Sequence, residues 1–184
     1  MNLPNKLTLA RILLIPVFMV LVQLPFSGHY LWAMAVFAIA SFTDYLDGHL
    51  ARKWGMVTDF GKFADPLADK ILTTTAIIYL VQMGLCHPVV LIIIITREFA
   101  VSGVRMIAAG APGGKVIAAN MWGKVKTVLQ MLSIIAIFAM LGAGADAAVV
   151  NVVSQVLMWA VGAATAISGV QYLWANRQFF NTAK

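Results

Sequence analysis

The chain has 184 residues, of which 61% are hydrophobic and only 11% charged, with a formal net charge of +6. A soluble domain carries about a quarter charged residues, so this composition excludes an ordinary water-soluble fold. No basic, aromatic-rich surface lies outside the apolar runs, which excludes a nucleic-acid partner, and the positive balance fits anionic lipid headgroups instead.

In chain order, the opening MNLPNKLTLAR reads as a short interfacial lead-in, with Pro4 permitting a bend and Lys6 and Arg11 suited to headgroups. Four stretches then carry no Asp, Glu, Lys or Arg: Ile12–Thr43, Ile71–Thr96, Thr127–Ala145 and Ala147–Asn176. A membrane-spanning helix needs about 20 mainly apolar residues. The first stretch holds two helices and breaks at LPFSGHY, the second breaks at GLCHP and runs on past Arg97, and the last two are parted by GAGADAA. The expected elements are six helices near Leu7–Leu24, Tyr30–Arg52, Asp65–Met83, Val89–Ala109, Met121–Leu141 and Val149–Asn176. Open sheet edges cannot be satisfied in lipid, and continuous apolar runs are not the alternation of a β-barrel. The expected fold is therefore all-α, an integral membrane bundle of six transmembrane helices in a single domain, 1–184. Cys86 is alone, so no internal disulfide forms. AIA at Ala38–Ala40 lies inside the second apolar run and is no signal-cleavage site.

Orientation follows from the basic residues. Lys6 and Arg11 open the first helix, Arg52, Lys53, Lys62 and Lys70 surround the second turn, and Arg97, Arg105, Lys115, Lys124 and Lys126 surround the fourth. Arg177 and Lys184 follow the last helix, and the three opposite loops have none. Cytoplasmic loops are the ones enriched in Lys and Arg, so both termini should face the cytoplasm.

Five of the seven carboxylates fall in one window, DYLDGHLARKWGMVTDFGKFADPLADK: Asp44, Asp47, Asp59, Asp65 and Asp69. Asp44 and Asp47 share a face at the end of the second helix, and Asp65 and Asp69 share one at the start of the third, with Pro66 in its first turn. Two helix tips would thus bring four acids together. So many neighbouring carboxylates bind protons or a hard cation, and oxygen-only ligands favour Mg²⁺, Mn²⁺ or Ca²⁺ over zinc. His49 has no second His or Cys beside it, which argues against zinc. Asp59 reads as an ordinary solvated loop charge. Four carboxylates can hold two metals, an arrangement suited to phosphoryl displacement.

The spacing is more specific than an acidic cluster. Asp44-x-x-Asp47-Gly48-x-x-Ala51-Arg52, eight residues, then Gly61-x-x-x-Asp65-x-x-x-Asp69 resembles the signature of the CDP-alcohol phosphotransferases at all eight fixed positions. The resemblance implies a six-helix membrane enzyme, typically a homodimer, that joins a CDP-linked lipid to an alcohol and releases CMP. It implies two Mg²⁺ or Mn²⁺ ions held by Asp44, Asp47, Asp65 and Asp69, with Asp69 also the general base. Gly48, Ala51, Arg52, Thr58 and Gly61 then correspond to the nucleotide and diphosphate site, and Asn5 and Thr8, after Pro4, to a further nucleotide contact. Gly48 has an independent physical reason, since a side chain there would obstruct the approaching nucleotide.

A second basic group bears on the acceptor. Arg97 and Arg105 are eight apart on one helix face, and Lys124 and Lys126 open the fifth helix. Basic residues at helix ends are expected from topology alone, and Lys53 and Lys115 are read that way. Arg97 and Arg105 enter a predicted span and need partners, among which Glu98 is a candidate. Four cations suit an anionic acceptor. Arg97-Glu98, Ser102-Gly103-x-Arg105 and Gly123-Lys124-x-Lys126-Thr127, with the opening NLPNKLTLAR, resemble the bacterial phosphatidylglycerophosphate synthases within that family. The implied substrates are CDP-diacylglycerol and sn-glycerol 3-phosphate, with the cations on the acceptor phosphate. The alternatives are the same chemistry on inositol phosphate or phosphatidylglycerol, a prenyltransferase with another Asp motif, and a divalent-cation transporter with an acidic selectivity site. The last third of the chain reads as generic bundle helix.

Overall fold

A computed structural model describes the backbone of residues 3–53, 59–110 and 121–177, and the side chains of residues 6–43, 67–108, 110 and 121–177. The described chain is helical between turns, in six helices: α1 (Leu3–Gln23), α2 (His29–Lys53), α3 (Asp59–Gln82), α4 (Pro88–Gly110), α5 (Met121–Gly142) and α6 (Ala147–Ala175). The breaks fall where glycine and polar residues interrupt the apolar runs. At the ends of α3 and α5, Gly84 and Gly144 take φ +75° and +67°. There Leu85 N–H reaches Leu80 O (2.8 Å) and Ala145 N–H reaches Met140 O (3.1 Å), closing each helix with the left-handed residue glycine adopts freely. Asp146 then opens α6, its carboxylate accepting from the N–H groups of Ala148 (2.9 Å) and Val149 (3.2 Å).

Two boundaries differ from expectation. The lead-in is not separate, since α1 begins at Leu3, and its Thr8 and Arg11 are fully buried. Arg11 Nε donates to Ala40 O on α2 (3.2 Å), so this arginine braces α1 against α2 rather than facing headgroups. Helix α3 starts at Asp59, not Asp65. Gly61 and Pro66 therefore lie within it, and Pro66 has no N–H to give the ladder.

The bundle is inverted relative to a water-soluble one. Its surface carries Leu13, Trp32, Ile92, Phe99, Leu132, Val156 and Trp174, while Thr8, Arg11, Lys126, Gln130, Ser133, Thr165 and Ser168 are inside. Among the described residues, three helical segments are long and apolar enough to cross a bilayer: Lys6–Gln23, Met121–Gly142 and Ala147–Ala175. The apolar part of α2, His29–Thr43, is shorter. Helix α4 carries Arg97, Glu98 and Arg105 within its apolar run. The chain is a membrane protein.

The apolar core centres on Phe18 of α1. Its ring meets Phe37 of α2 (5.9 Å), Tyr79 of α3 (6.3 Å, 74°) and Phe138 of α5 (5.5 Å, 76°), edge-to-face contacts that favour one packing over others. Helix α6 packs on α4 and α5. At Gly162 and Gly169 a Cβ would lie 3.4 Å from Val90 Cγ1 and 3.0 Å from Arg97 Cγ, both on α4. Small residues thus let the two helices approach. Gly103, by contrast, has open space beside it among the described residues.

Candidate active site

At the end of the bundle where α3 and α5 begin and α4 and α6 finish, a cavity of ≈210 Å³ opens among the helices. Helix periodicity selects its walls. Asp69, Lys70 and Thr73 come from α3, Arg97, Glu98 and Arg105 from α4, and Gly123, Lys126, Thr127 and Gln130 form a stripe at three- and four-residue spacing on α5.

Glu98 is the hub. Its Oε1 accepts from Lys126 Nζ (2.9 Å) and Arg97 Nη1 (2.9 Å), and its Oε2 lies 3.7 Å from Lys70 Nζ. One carboxylate thus serves cations from three helices. Lys126, with a side chain only 5% exposed, could not remain charged there without such a partner. Lys70 Nζ also donates to Ser102 Oγ.

Both arginines are held from α6. Arg97 Nη2 donates to Ser168 Oγ (2.9 Å). Arg105 Nε donates to Tyr172 Oη (3.2 Å), with its guanidinium 5.6 Å from the centre of that ring. Thr73 and Thr127 give their hydroxyl protons to carbonyls of their own helices, at Asp69 (3.0 Å) and Gly123 (3.0 Å), so each turns lone pairs outward.

The cavity gathers Asp69 with three of the four cations singled out in the sequence, Arg97, Arg105 and Lys126. Lys124 is exposed and is not among its lining residues. Two positions apart on a helix means about 200° around its axis, so Lys124 and Lys126 cannot face the same space. Lys70, read as a topological charge, lines it instead. Ser168 and Tyr172 went unnoticed because hydroxyl groups on an apolar helix carry little signal. Their four-residue spacing was the available hint.

The remaining motif positions are located by backbone. Asp44, Asp47, Gly48, Ala51 and Arg52 lie in the last turns of α2, Gly61 and Asp65 in α3, and Asn5 in the first turn of α1, while Thr58 lies outside the described residues. The side chains of Asp44, Asp47 and Asp65 also lie outside what is described. Among the described residues no three His, Cys, Asp or Glu converge. The donor set along α2 and α3 is oxygen only, which suits a hard divalent cation.

Residues 1–167 match the CDP-alcohol phosphatidyltransferase family. The chain is 43% identical to the CDP-diacylglycerol–glycerol-3-phosphate 3-phosphatidyltransferase of Bacillus subtilis (strain 168), with 99% of the chain and 98% of that protein covered. It is 35% identical to the protein of the same name from Rickettsia felis (strain ATCC VR-1525 / URRWXCal2), over 97% of each. To the one from Pseudomonas fluorescens it is 42% identical, over 76% of the chain and 73% of that protein.

Proposed function

The chain belongs to the CDP-alcohol phosphatidyltransferase family, and from that premise we propose that it transfers the phosphatidyl group of CDP-diacylglycerol to sn-glycerol 3-phosphate, giving phosphatidylglycerophosphate and CMP. The observation that carries the reading is the charge of the cavity. Among the described lining residues, Lys70, Arg97, Arg105 and Lys126 stand with two carboxylates, Asp69 and Glu98. Four cations against two carboxylates leave room for an anion of about two charges, as a phosphate monoester carries near neutral pH.

Arg97, Arg105 and Lys126 hold the acceptor phosphate, Arg97 and Arg105 presenting the planar forks that match its oxygens. Asp69, on the same wall as Thr73, takes the proton of the acceptor hydroxyl. That oxygen attacks the phosphorus bearing diacylglycerol, the bond to CMP breaks, and CMP leaves with the electron pair. Displacement is direct, because no Ser, Cys or His stands out as a covalent nucleophile. Asp44, Asp47, Asp65 and Asp69 are the residues that would hold two Mg²⁺ or Mn²⁺ ions. When bound, such ions neutralise the diphosphate and stabilise the leaving group. Asn5, Thr8, Gly48, Ala51, Arg52, Thr58 and Gly61 are assigned to the nucleotide on their match to the family's pattern. Most of the rate arises from alignment and electrostatic preorganisation.

The distribution of Lys and Arg supports a cytoplasmic-membrane protein with both termini and the active site on the cytoplasmic side. Family resemblance supports a homodimer. The test is CMP release by the purified protein with CDP-diacylglycerol and a panel of acceptors. Turnover with sn-glycerol 3-phosphate and not with inositol phosphate or phosphatidylglycerol is expected. Metal flux without CMP release would replace the reading with a transporter.

A further inference from the structure

One neutral side chain in the cavity has a carbonyl oxygen without a partner among the described residues. Gln130 is 3% exposed, lines the cavity, and its carbonyl oxygen has no hydrogen-bond partner among the described residues. Buried acceptors are rarely left in this state, because water that would satisfy them has been removed. Its neighbours differ. Thr73 and Thr127 are bonded to their own helices, Arg97 and Lys126 share Glu98, Arg97 also reaches Ser168 although its Nε has no partner among the described residues, and Arg105 reaches Tyr172. Ser133 Oγ, the next atom along the α5 stripe, is also without a partner among the described residues but does not line the cavity.

Resting on the reaction proposed above, we infer that Gln130 reads the secondary hydroxyl of the acceptor and thereby its handedness. A glycerol phosphate offers three polar groups: a phosphate, a reacting primary hydroxyl and a middle hydroxyl. The cavity lines these with the cations, with Asp69, with the hydroxyls of Thr73 and Thr127, whose protons are given to their own helices, and with one neutral amide that can both accept and donate. Gln130 stands one helical turn past Lys126, about 6 Å further along α5, close enough for one small molecule to reach both side chains. A primary amide accepts from a hydroxyl through its oxygen and donates through its nitrogen. With phosphate and reacting hydroxyl fixed, the mirror-image acceptor turns a hydrogen toward the amide where the hydroxyl should be. The amide is then left unpaired, as it also is by an acceptor lacking that hydroxyl.

The experiment measures CMP release by the full-length protein with CDP-diacylglycerol, Mg²⁺ or Mn²⁺, and each of three acceptors: sn-glycerol 3-phosphate, sn-glycerol 1-phosphate and 3-hydroxypropyl phosphate. All three carry the same charge and a primary hydroxyl. The unaltered protein should prefer the first over the other two in kcat/KM by on the order of 10- to 100-fold, the worth of one buried hydrogen bond left unmade. Gln130→Leu should bring the three within about threefold of each other. Because the readout is a ratio within one preparation, the folded fraction cancels, and Gln130→Met, nearer in shape, is the second variant on which the same loss of preference is read should the leucine not fold. Equal rates with the three acceptors in the unaltered protein, or a variant that slows all three by one factor, would overturn it. No CMP from any acceptor would remove the reaction itself, and the inference with it.

Discussion

Around Phe18, helices α1, α2, α3 and α5 meet ring against ring; around Glu98, helices α3, α4, α5 and α6 meet nitrogen against oxygen. Both regions are withdrawn from the surroundings, and the second opens onto a cavity. Protein interiors normally leave few spaces larger than a water, and ≈210 Å³ is many times that. Cations that repel one another cannot collapse onto each other as aliphatic chains do. The aromatic region fixes the helices relative to one another. The charged region can then stay open around its cavity.

Substitutions separate the two regions by what they damage. The largest effect is expected at Asp69. Asp69→Asn should lower CMP release by roughly 10²- to 10⁴-fold, the usual worth of a general base, with an unchanged melting temperature in detergent. Normal turnover would remove the base assignment. Next, Phe138→Ala should cost about 3–5 kcal/mol of stability, read as a fall in melting temperature, with an unaltered KM for the acceptor in the protein that stays folded. Glu98→Gln leaves Lys126 and Arg97 facing each other without an acid. It should cost about 3 kcal/mol, the low end for a broken buried pair. Millimolar inorganic phosphate should restore its melting temperature, and should not do so for Phe138→Ala. If phosphate rescues both equally, the two regions are not distinct in the way described. Tyr172→Phe removes the partner of Arg105 Nε but keeps the ring beneath it, and should raise the acceptor KM about fivefold, near 1 kcal/mol, with kcat little changed. The smallest effect belongs to Cys86 in the turn before α4, where burial pushes the thiol from an ordinary 9.0 up to about 11. Below that pH the sulfur keeps its proton, so at pH 8 its thiolate is about a hundredfold scarcer than usual. Treatment with an alkylating reagent at pH 8 should leave activity intact, and labelling should set in only as pH climbs toward 11.

Much of the fold was legible because membrane helices announce themselves by length and by the glycines that end them. The starts of α2, α4, α5 and α6 lie within two residues of expectation. The start of α3 was missed by six, because Pro66 and the charges before it read as a helix opening when the helix was already under way. The lead-in was misread because Lys6 and Arg11 resemble headgroup anchors, and nothing local reveals that Arg11 reaches a carbonyl 29 positions away. For the site, the pair Arg97 and Arg105 was visible in its eight-residue spacing. The choice between Lys124 and Lys126 was also within reach, since helical angle alone separates them. Glu98 was seen only as a possible partner for one cation. Its place at the centre of three depends on how α3, α4 and α5 lean together, and no single segment encodes that. Ser168 and Tyr172 were lost for a similar reason, as their importance comes entirely from the helix they face.

Gly169 gives that last helix a reach beyond its own composition. With no side chain at this point, the stem of Arg97 rests against the backbone of α6, 3.0 Å from where a methyl group would sit. The distance between two helix axes thereby becomes the height at which a guanidinium is carried. A single added carbon on a helix with no charged residue would lift that guanidinium off Ser168 and tilt it within the cavity. A residue with no functional group of its own thus decides where a charge within the bundle comes to rest.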